Sequence, residues 1–200
     1  ASASISSTSA LWCEDWPTRG TEAFAYSHHK ALVEEMLAEA RRAHPGLEQV
    51  VLRIGTILGD RVDNQITALF HRPRLLAIRG SDSPFVFVWD TDLVAIVVRA
   101  VDAGPPGIYN VAGTGTLTID EIAARLGKRT LPLPEGLLKA ALAAGSRLGA
   151  TRYGPEQTGF LRYRPVLDNT RLREEFGYTP GLTSAEAFDR WLAGHPDARR

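Results

Sequence analysis

Short runs of β-branched and aromatic residues that alternate with helical patterns constrain this 200-residue chain most. Residues 49–54, 85–89 and 108–111 are such runs, and a helical pattern lies between each and the next. Strands that alternate with helices favour a parallel sheet with helices packed against it. We therefore predict an α/β fold up to about residue 113, with residues 49–54 forming a strand buried on both faces.

The longest helical pattern covers residues 26–43. Its apolar residues recur at helical spacing: Leu32, Val33, Met36, Leu37 and Ala40. His44-Pro45-Gly46 then ends the run. Tyr26 and Lys30 stand four residues apart near its beginning, so that they share one face of the helix.

A phenol beside an ammonium group can exchange protons near neutral pH. Tyrosine alone titrates near ~10, too high for a general base at that pH. A cation about 4 Å away, at an effective dielectric constant of ~20, contributes roughly 4 kcal/mol, or at most ~3 pKa units. Tyr26 with Lys30 is therefore a candidate general acid/base. The alternative is a surface tyrosine beside a solvated lysine, and the flanking motifs decide between the two.

Motifs flank this helix in a definite order. Ile5-Ser6-Ser7-Thr8-Ser9-Ala10-Leu11-Trp12 precedes it, and Arg53-Ile54-Gly55, Phe85-Val86-Phe87-Val88-Trp89-Asp90 and Tyr109-Asn110-Val111-Ala112-Gly113 follow. The series resembles the extended short-chain dehydrogenase/reductase superfamily, the NAD-dependent epimerase/dehydratase group, over nearly all of the chain. In that family a strand ends in Ser-Ser-(Ser/Thr), and Tyr-x-x-x-Lys opens the next helix. Arg-x-Gly-x-x-x-Gly, Val-x-Asp and Tyr-Asn-Val-x-Gly come later.

The resemblance implies an enzyme that transfers hydride with NAD or NADP as cofactor: an oxidoreductase, epimerase or dehydratase. Tyr26 would move the proton, Lys30 would lower its pKa and bind the nicotinamide ribose, and Thr8 would hold the reacting oxygen. The residues implied to contact the cofactor are Tyr26, Lys30, Ser6, Ser7, Ile54, Gly55 and Thr56. Thr8 and Trp12 are implied on the substrate side. Trp12 and Cys13 depart from the family pattern, which has Tyr-Gly there.

Arg162 and Arg164 are candidate substrate-binding residues on other grounds. They lie in a predicted loop over residues 154–164, where arginine could clamp a phosphate or carboxylate of a small-molecule substrate. Solvated side chains, or pairing with Asp168 and Glu174, are the alternative. Thr56 stands where many sugar-modifying relatives carry asparagine, which weakens the case for a nucleotide-sugar substrate.

Residues 113–118 contain a Gly-x-Gly sequence between a strand and a helix, as a phosphate-binding turn does. The third glycine is missing, and Pro132 and Pro134 make the next segment a poor central strand. We therefore interpret this segment as a loop that leads into a helix capped by Thr118 and Glu121. A second such cap, Thr183 with Glu186, predicts the last helix.

Two units are predicted. Residues 1–113 would be the later part of a Rossmann-like domain, with an insertion around residues 60–84, and residues 114–200 a small, mainly helical substrate-binding lobe. No glycine-rich nucleotide turn precedes Tyr26. We therefore expect the chain to be the later portion of a longer protein. A non-catalytic nucleotide-binding or sensing protein, or an inactive truncated fragment, are the alternatives.

Composition limits the classes of partner. Lysine and arginine number 23, as do the acidic residues, so nothing argues for nucleic acid or an anionic membrane surface. The single Cys13 excludes an internal disulfide. No apolar run reaches the ~18 residues of a membrane span, and the start lacks the pattern of a signal peptide. We expect a cytoplasmic protein without a metal site, and a homodimer stays open.

Overall fold

A computed structural model describes residues 11, 12, 14, 25–147, 149 and 166–199. The strands are β1 (Leu11–Trp12), β2 (Val50–Ile54), β3 (Thr56–Leu58), β4 (Arg74–Ile78), β5 (Phe87–Trp89), β6 (Gly107–Val111), β7 (Arg129–Leu133) and β8 (Val166–Leu167). The helices are α1 (Ala25–Ala43), α2 (Gln65–Phe70), α3 (Asp90–Asp102), α4 (Ile119–Leu126), α5 (Glu135–Arg147), α6 (Thr170–Glu174) and α7 (Ser184–Gly194). A 3₁₀ helix, Pro196–Arg199, follows them.

The strands of the described residues form parallel pairs. β1 pairs with β8, β2 with β6, β3 with β5, and β4 with β7. Parallel strands need a crossover connection, and helices lie between several of these strands in the chain. The predicted α/β class is therefore confirmed.

Strand β5 separates two groups of buried side chains. On one side an aromatic group joins residues from α2, from β5 and the segment just before it, and from α7, with ring centroids 5.2–6.2 Å apart: Phe70, Phe85, Phe87, Phe188 and Trp191. Val88 points to the other side, where Ile96 of α3 and Tyr109 of β6 are buried. This alternation is the period of two expected of a strand covered on both faces.

Both predicted capping boxes are present. The Thr118 hydroxyl accepts from the Glu121 backbone N–H while the Glu121 carboxylate accepts from the Thr118 N–H, and α4 begins directly after Thr118 as predicted. Thr183 and Glu186 make the same exchange at the start of α7. These hydrogen bonds from Thr183 lower the pKa of the Glu186 carboxyl. A threonine followed three positions later by a glutamate thus predicted the start of both helices correctly.

Pro132 and Pro134 marked residues 129–134 as a poor central strand, and the structure has a strand there that is not central among the described residues. Residues 129–133 form strand β7, and Pro132 lies opposite Ala77 in the ladder. Within the described residues β7 pairs only with β4. A strand with one unpaired edge tolerates a residue that has no N–H to donate, whereas a central strand does not.

Burial around β2 also differs from the prediction. None of its residues is fully buried, and 43% of Ile54 is exposed. On α1 the apolar residues Val33 and Met36 are 50% and 68% exposed. Periodicity predicted the strand and the helix correctly, but it does not say how much of each face another element covers.

The other predicted elements lie where they were expected, apart from two. The strand that the family resemblance implies before Thr8 and the predicted loop over residues 154–164 fall outside the described residues. No helix in the described part of the chain has both the length and the apolar character needed to cross a membrane.

Candidate functional site

Helix α1 runs antiparallel to strand β2, and two side-chain contacts establish this direction. Near its end, Arg41 donates to the Gln49 side chain at 2.7 Å, just before β2 begins. Earlier in the helix, Glu34 accepts from the Arg53 guanidinium in β2. Residues that come earlier in α1 therefore lie beside or beyond the carboxyl end of β2.

Tyr26 and Lys30 belong to the same side of α1 as Glu34, because the three are spaced by four residues. At a rise of about 1.5 Å per residue, Lys30 lies about 6 Å from Glu34 along the helix axis. A strand rises about 3.3 Å per residue, so that Gly55 lies a similar distance beyond Arg53. Lys30 is therefore level with the carboxyl end of β2, and Tyr26 lies one turn further out.

The structure places these two candidate residues only in part. Lys30 is exposed on the helix surface. The backbone of Tyr26 is in the first turn of α1, but its side chain is outside the described residues. The distance between phenol and ammonium, and hence the acid/base role, stays a prediction.

An ion pair links β2 to α1, and the buried residue Glu14 contacts both β2 and β6. The Arg53 Nε lies 2.9 Å from Glu34 Oε1, and Nη2 lies 2.6 Å from Oε2, with side chains 13% and 21% exposed. Arg53 also donates to the Glu14 carbonyl at 3.1 Å. Glu14 itself is buried, and its carboxylate accepts from the Asn110 backbone N–H of β6 at 3.0 Å. Glu14 and Glu34 were not among the predicted site residues, although a lone arginine in an apolar strand indicates a paired charge.

Gly55 is the point where the chain changes its strand partner. Its N–H donates to Val111 in β6 at 2.9 Å, whereas the next N–H, of Thr56, donates to Val86 before β5 at 3.2 Å. A Cβ on Gly55 would lie 3.1 Å from the Val86 side chain and 3.4 Å from two carbonyl oxygens. The glycine thus permits close packing where β2 ends. Since both N–H groups are used within the fold, a ligand would meet carbonyl or side-chain atoms here.

The Gly-x-Gly segment at residues 113–118 is closed by α7. A Cβ on Gly113 would come within 3 Å of backbone atoms of residues 182–184. The Ser184 N–H donates to the Thr114 carbonyl at 3.0 Å, and its hydroxyl donates to the Gly113 carbonyl at 3.0 Å. The first glycine therefore serves helix packing, and the interpretation of this segment as a capped loop is confirmed.

Other predicted site residues fall outside the described residues: Ser6, Ser7, Thr8, Arg162 and Arg164. Of Trp12 only the backbone is described, in β1, where it pairs with Leu167. Ile54, Gly55 and Thr56 are described and lie together at the carboxyl end of β2. Their contact with a cofactor stays a prediction. The described residues contain no group of three His, Cys, Asp or Glu side chains that could hold a metal ion.

Solved structures with a similar fold include enzymes of the NAD-dependent epimerase/dehydratase type. A Bacillus anthracis dTDP-glucose 4,6-dehydratase in complex with NAD matches with a TM-score of 0.66 at 14% identity, over 95% of this chain and 57% of that one. A human epimerase family protein with NADPH gives 0.66 at 23% identity, over 94% and 61%. Thermus thermophilus UDP-glucose 4-epimerase with NAD gives 0.65 at 21%, over 96% and 59%. The fold is thus similar to the Rossmann fold of short-chain dehydrogenases/reductases.

Comparison with known sequences finds relatives whose function is not characterized. No protein-family model matches the chain. An uncharacterized protein of Mycobacterium tuberculosis is 28% identical over 185 residues, which are 92% of this chain and 49% of the relative. A second uncharacterized protein of that organism is 30% identical over 175 residues, 85% of this chain and 18% of the relative. The chain spans about half the length of the first of these relatives.

Proposed function

We propose that this chain carries the acid/base half of an NAD(P)-dependent oxidoreductase, epimerase or dehydratase of the extended short-chain type. One observation carries the proposal: the pairing of Glu34 with Arg53 sets α1 so that Lys30 and Tyr26 come to the carboxyl end of β2. In open α/β sheets, ligands bind outside the carboxyl ends of the strands. The structural neighbours, solved with NAD or NADPH, support the same class of chemistry.

In this proposal Tyr26 transfers a proton to or from the oxygen of a small-molecule substrate. The ammonium of Lys30, one helical turn away, favours the ionised phenol and so lowers the pKa of Tyr26. Thr8 holds the same substrate oxygen through its hydroxyl group. The proton moves between Tyr26 and this oxygen as the carbon that bears it is oxidised or reduced.

A nicotinamide cofactor, NAD or NADP, would supply or accept the hydride. Lys30, Tyr26, Ser6 and Ser7 would hold its ribose side. The nicotinamide carboxamide would lie against residues 54–56. Because the N–H groups of Gly55 and Thr56 already donate within the fold, the carboxamide would meet acceptor or side-chain atoms of this segment.

Trp12, Arg162 and Arg164 would contact the rest of the substrate. An arginine near the substrate favours a phosphate or carboxylate group on it. Which of oxidation, epimerisation or dehydration takes place depends on that substrate. We propose that the protein is cytoplasmic and can form a homodimer.

We further propose that polypeptide outside this chain completes the cofactor site. The chain covers 49% of a curated relative and 57% of the dehydratase structure. Helix α3 also leaves Val94, Val98 and Val101 62%, 61% and 86% exposed. Such a row of apolar residues is typical of a helix face that another element covers. The chain by itself would then be inactive.

Intact mass and nicotinamide binding test these proposals together. We expect the protein from its host to exceed 21.8 kDa and to bind NADH or NADPH saturably. Tyr26→Phe should abolish turnover and leave cofactor affinity nearly unchanged. A mass near 21.8 kDa with no nucleotide binding would favour the truncated fragment. Cofactor binding with full activity in Tyr26→Phe would refute the assigned role of the phenol.

A further inference from the structure

Strands β4 and β7 form a two-stranded parallel ribbon, and two arginines lie side by side where it starts. Arg74 and Arg129 are register partners on neighbouring parallel strands, so that their side chains leave the same face of the ribbon. Both are exposed. Adjacent strands are about 4.8 Å apart, and like charges placed directly opposite each other are destabilising.

Nothing in the described residues neutralises this pair. Neither the Arg74 nor the Arg129 guanidinium has a hydrogen bond or ion pair with another described residue, in contrast to Arg125, which pairs with Asp189 at 3.0 Å. Lys128, which precedes Arg129 in the chain, is engaged elsewhere. Its ammonium lies 2.8 Å from each of the carbonyls of Phe70 and Arg72, at the end of α2, and Asp197 is close enough to act on its pKa. Arg74 and Arg129 therefore place two positive charges side by side at the start of the two strands.

An apolar surface continues from this site along the same face. Leu76 and Leu131, register partners two residues further on, are 37% and 40% exposed. A pocket of about 100 Å³ with mainly apolar walls lies along β4, and Arg72, Arg74 and Leu76 are among the residues that line it. A ligand that suits both surfaces carries a compact anion at one end and a small apolar group at the other.

We propose that the start of the β4–β7 ribbon binds the phosphate group of a small soluble phosphate monoester, with Arg74 and Arg129 on either side of the phosphate. Guanidinium groups match phosphate oxygens with paired hydrogen bonds, and a dianion offsets the repulsion between two neighbouring cations. The apolar end of the ligand contacts Leu76 and Leu131. The site does not depend on the proposed hydride transfer, because none of its residues takes part in that reaction.

Calorimetric titration with phenyl phosphate tests the site. Arg74→Gln and Arg129→Gln should each weaken binding about tenfold, or about 1.4 kcal/mol. The matched control is Arg125→Gln, which removes the same charge from an arginine that already has a partner, and it should leave the affinity within about twofold. Inorganic phosphate should bind more weakly than phenyl phosphate, because it lacks the group that contacts the leucines.

Thermal unfolding without phosphate provides the fold control. Because Arg129→Gln relieves a like-charge contact, this variant should melt no lower than the wild-type protein. The absence of saturable binding of phenyl phosphate, or an equal loss in the Arg125→Gln variant, would overturn the proposal. Binding only to vesicles that contain phosphatidic acid, lost in Arg74→Gln and Arg129→Gln, would overturn the soluble ligand in favour of a lipid headgroup.

Discussion

Replacing Glu34 by glutamine probes the contact that positions α1 against the sheet. The substitution keeps the size of the side chain and removes the charge that accepts from the Arg53 guanidinium at 2.6–3.2 Å. Since both side chains are only 13% and 21% exposed, water replaces the lost charge poorly. We therefore expect Glu34→Gln to destabilise the fold.

The size of the effect lies between two limits. Breaking a fully buried ion pair costs about 3–5 kcal/mol, whereas a surface pair contributes about 0–1 kcal/mol. The Glu34–Arg53 pair is mostly but not fully buried, and glutamine keeps one acceptor, so we expect a loss of about 2 kcal/mol. For a domain of this size, that loss lowers Tm by roughly 4–8 °C.

Urea unfolding of wild type, Glu34→Gln and Glu35→Gln measures this loss. Glu35 is the neighbouring residue, is exposed, and has no contact of this kind in the described residues, so its variant should change stability by less than about 0.5 kcal/mol. Comparing these two variants removes any general effect of one lost negative charge. Equal stabilities for Glu34→Gln and Glu35→Gln would show that α1 does not lie along β2 as described.

Two further predictions concern close packing and proton release. Gly55→Ala should lower the free energy of unfolding in urea by about 1–3 kcal/mol, because the added Cβ would press on Val86. Gly46→Ala is the control, since open space surrounds Gly46, and it should be neutral or stabilising. Equal effects of the two substitutions would contradict the close packing described at Gly55. Burial and the hydrogen bond to Asp92 raise the pKa of Tyr178 to about 12. Its extra stabilisation is therefore complete below the unfolded pKa of about 10 and is lost as pH rises through 12. The difference in unfolding free energy between wild type and Tyr178→Phe should shrink over that range, and a constant difference would contradict the account.

Local signals in the sequence predicted most of the elements. The helix starts at Thr118 and Thr183 are marked by residues three positions apart, and a hydrogen-bond exchange that short does not depend on the rest of the fold. Strand β7 escaped prediction for the converse reason. Pro132 is excluded from central strands only, and whether a strand is central depends on partners far along the chain, here Ala77.

In the candidate site, too, features set by nearby residues could be predicted and features set by distant residues could not. The spacing of Tyr26 and Lys30 predicts that they share a face of α1, because a helix fixes which residues do so, and their contact stays a prediction. Glu14 and Asn110 are 96 positions apart, and no local pattern brings a buried carboxylate to that N–H group. The change of partner at Gly55 likewise depends on two separate strands, β5 and β6.

Titration of the Tyr26 phenol is the most direct measurement of the central claim. Tyrosine labelled with ¹³C in its ring gives one signal per residue, and Tyr26→Phe identifies the signal of Tyr26 among those of the five tyrosines. The account predicts that Tyr26 loses its proton well below ~10, and that Lys30→Met moves this transition back towards the ordinary value. A Tyr26 that titrates at the ordinary value, and is unaffected by Lys30→Met, would contradict it.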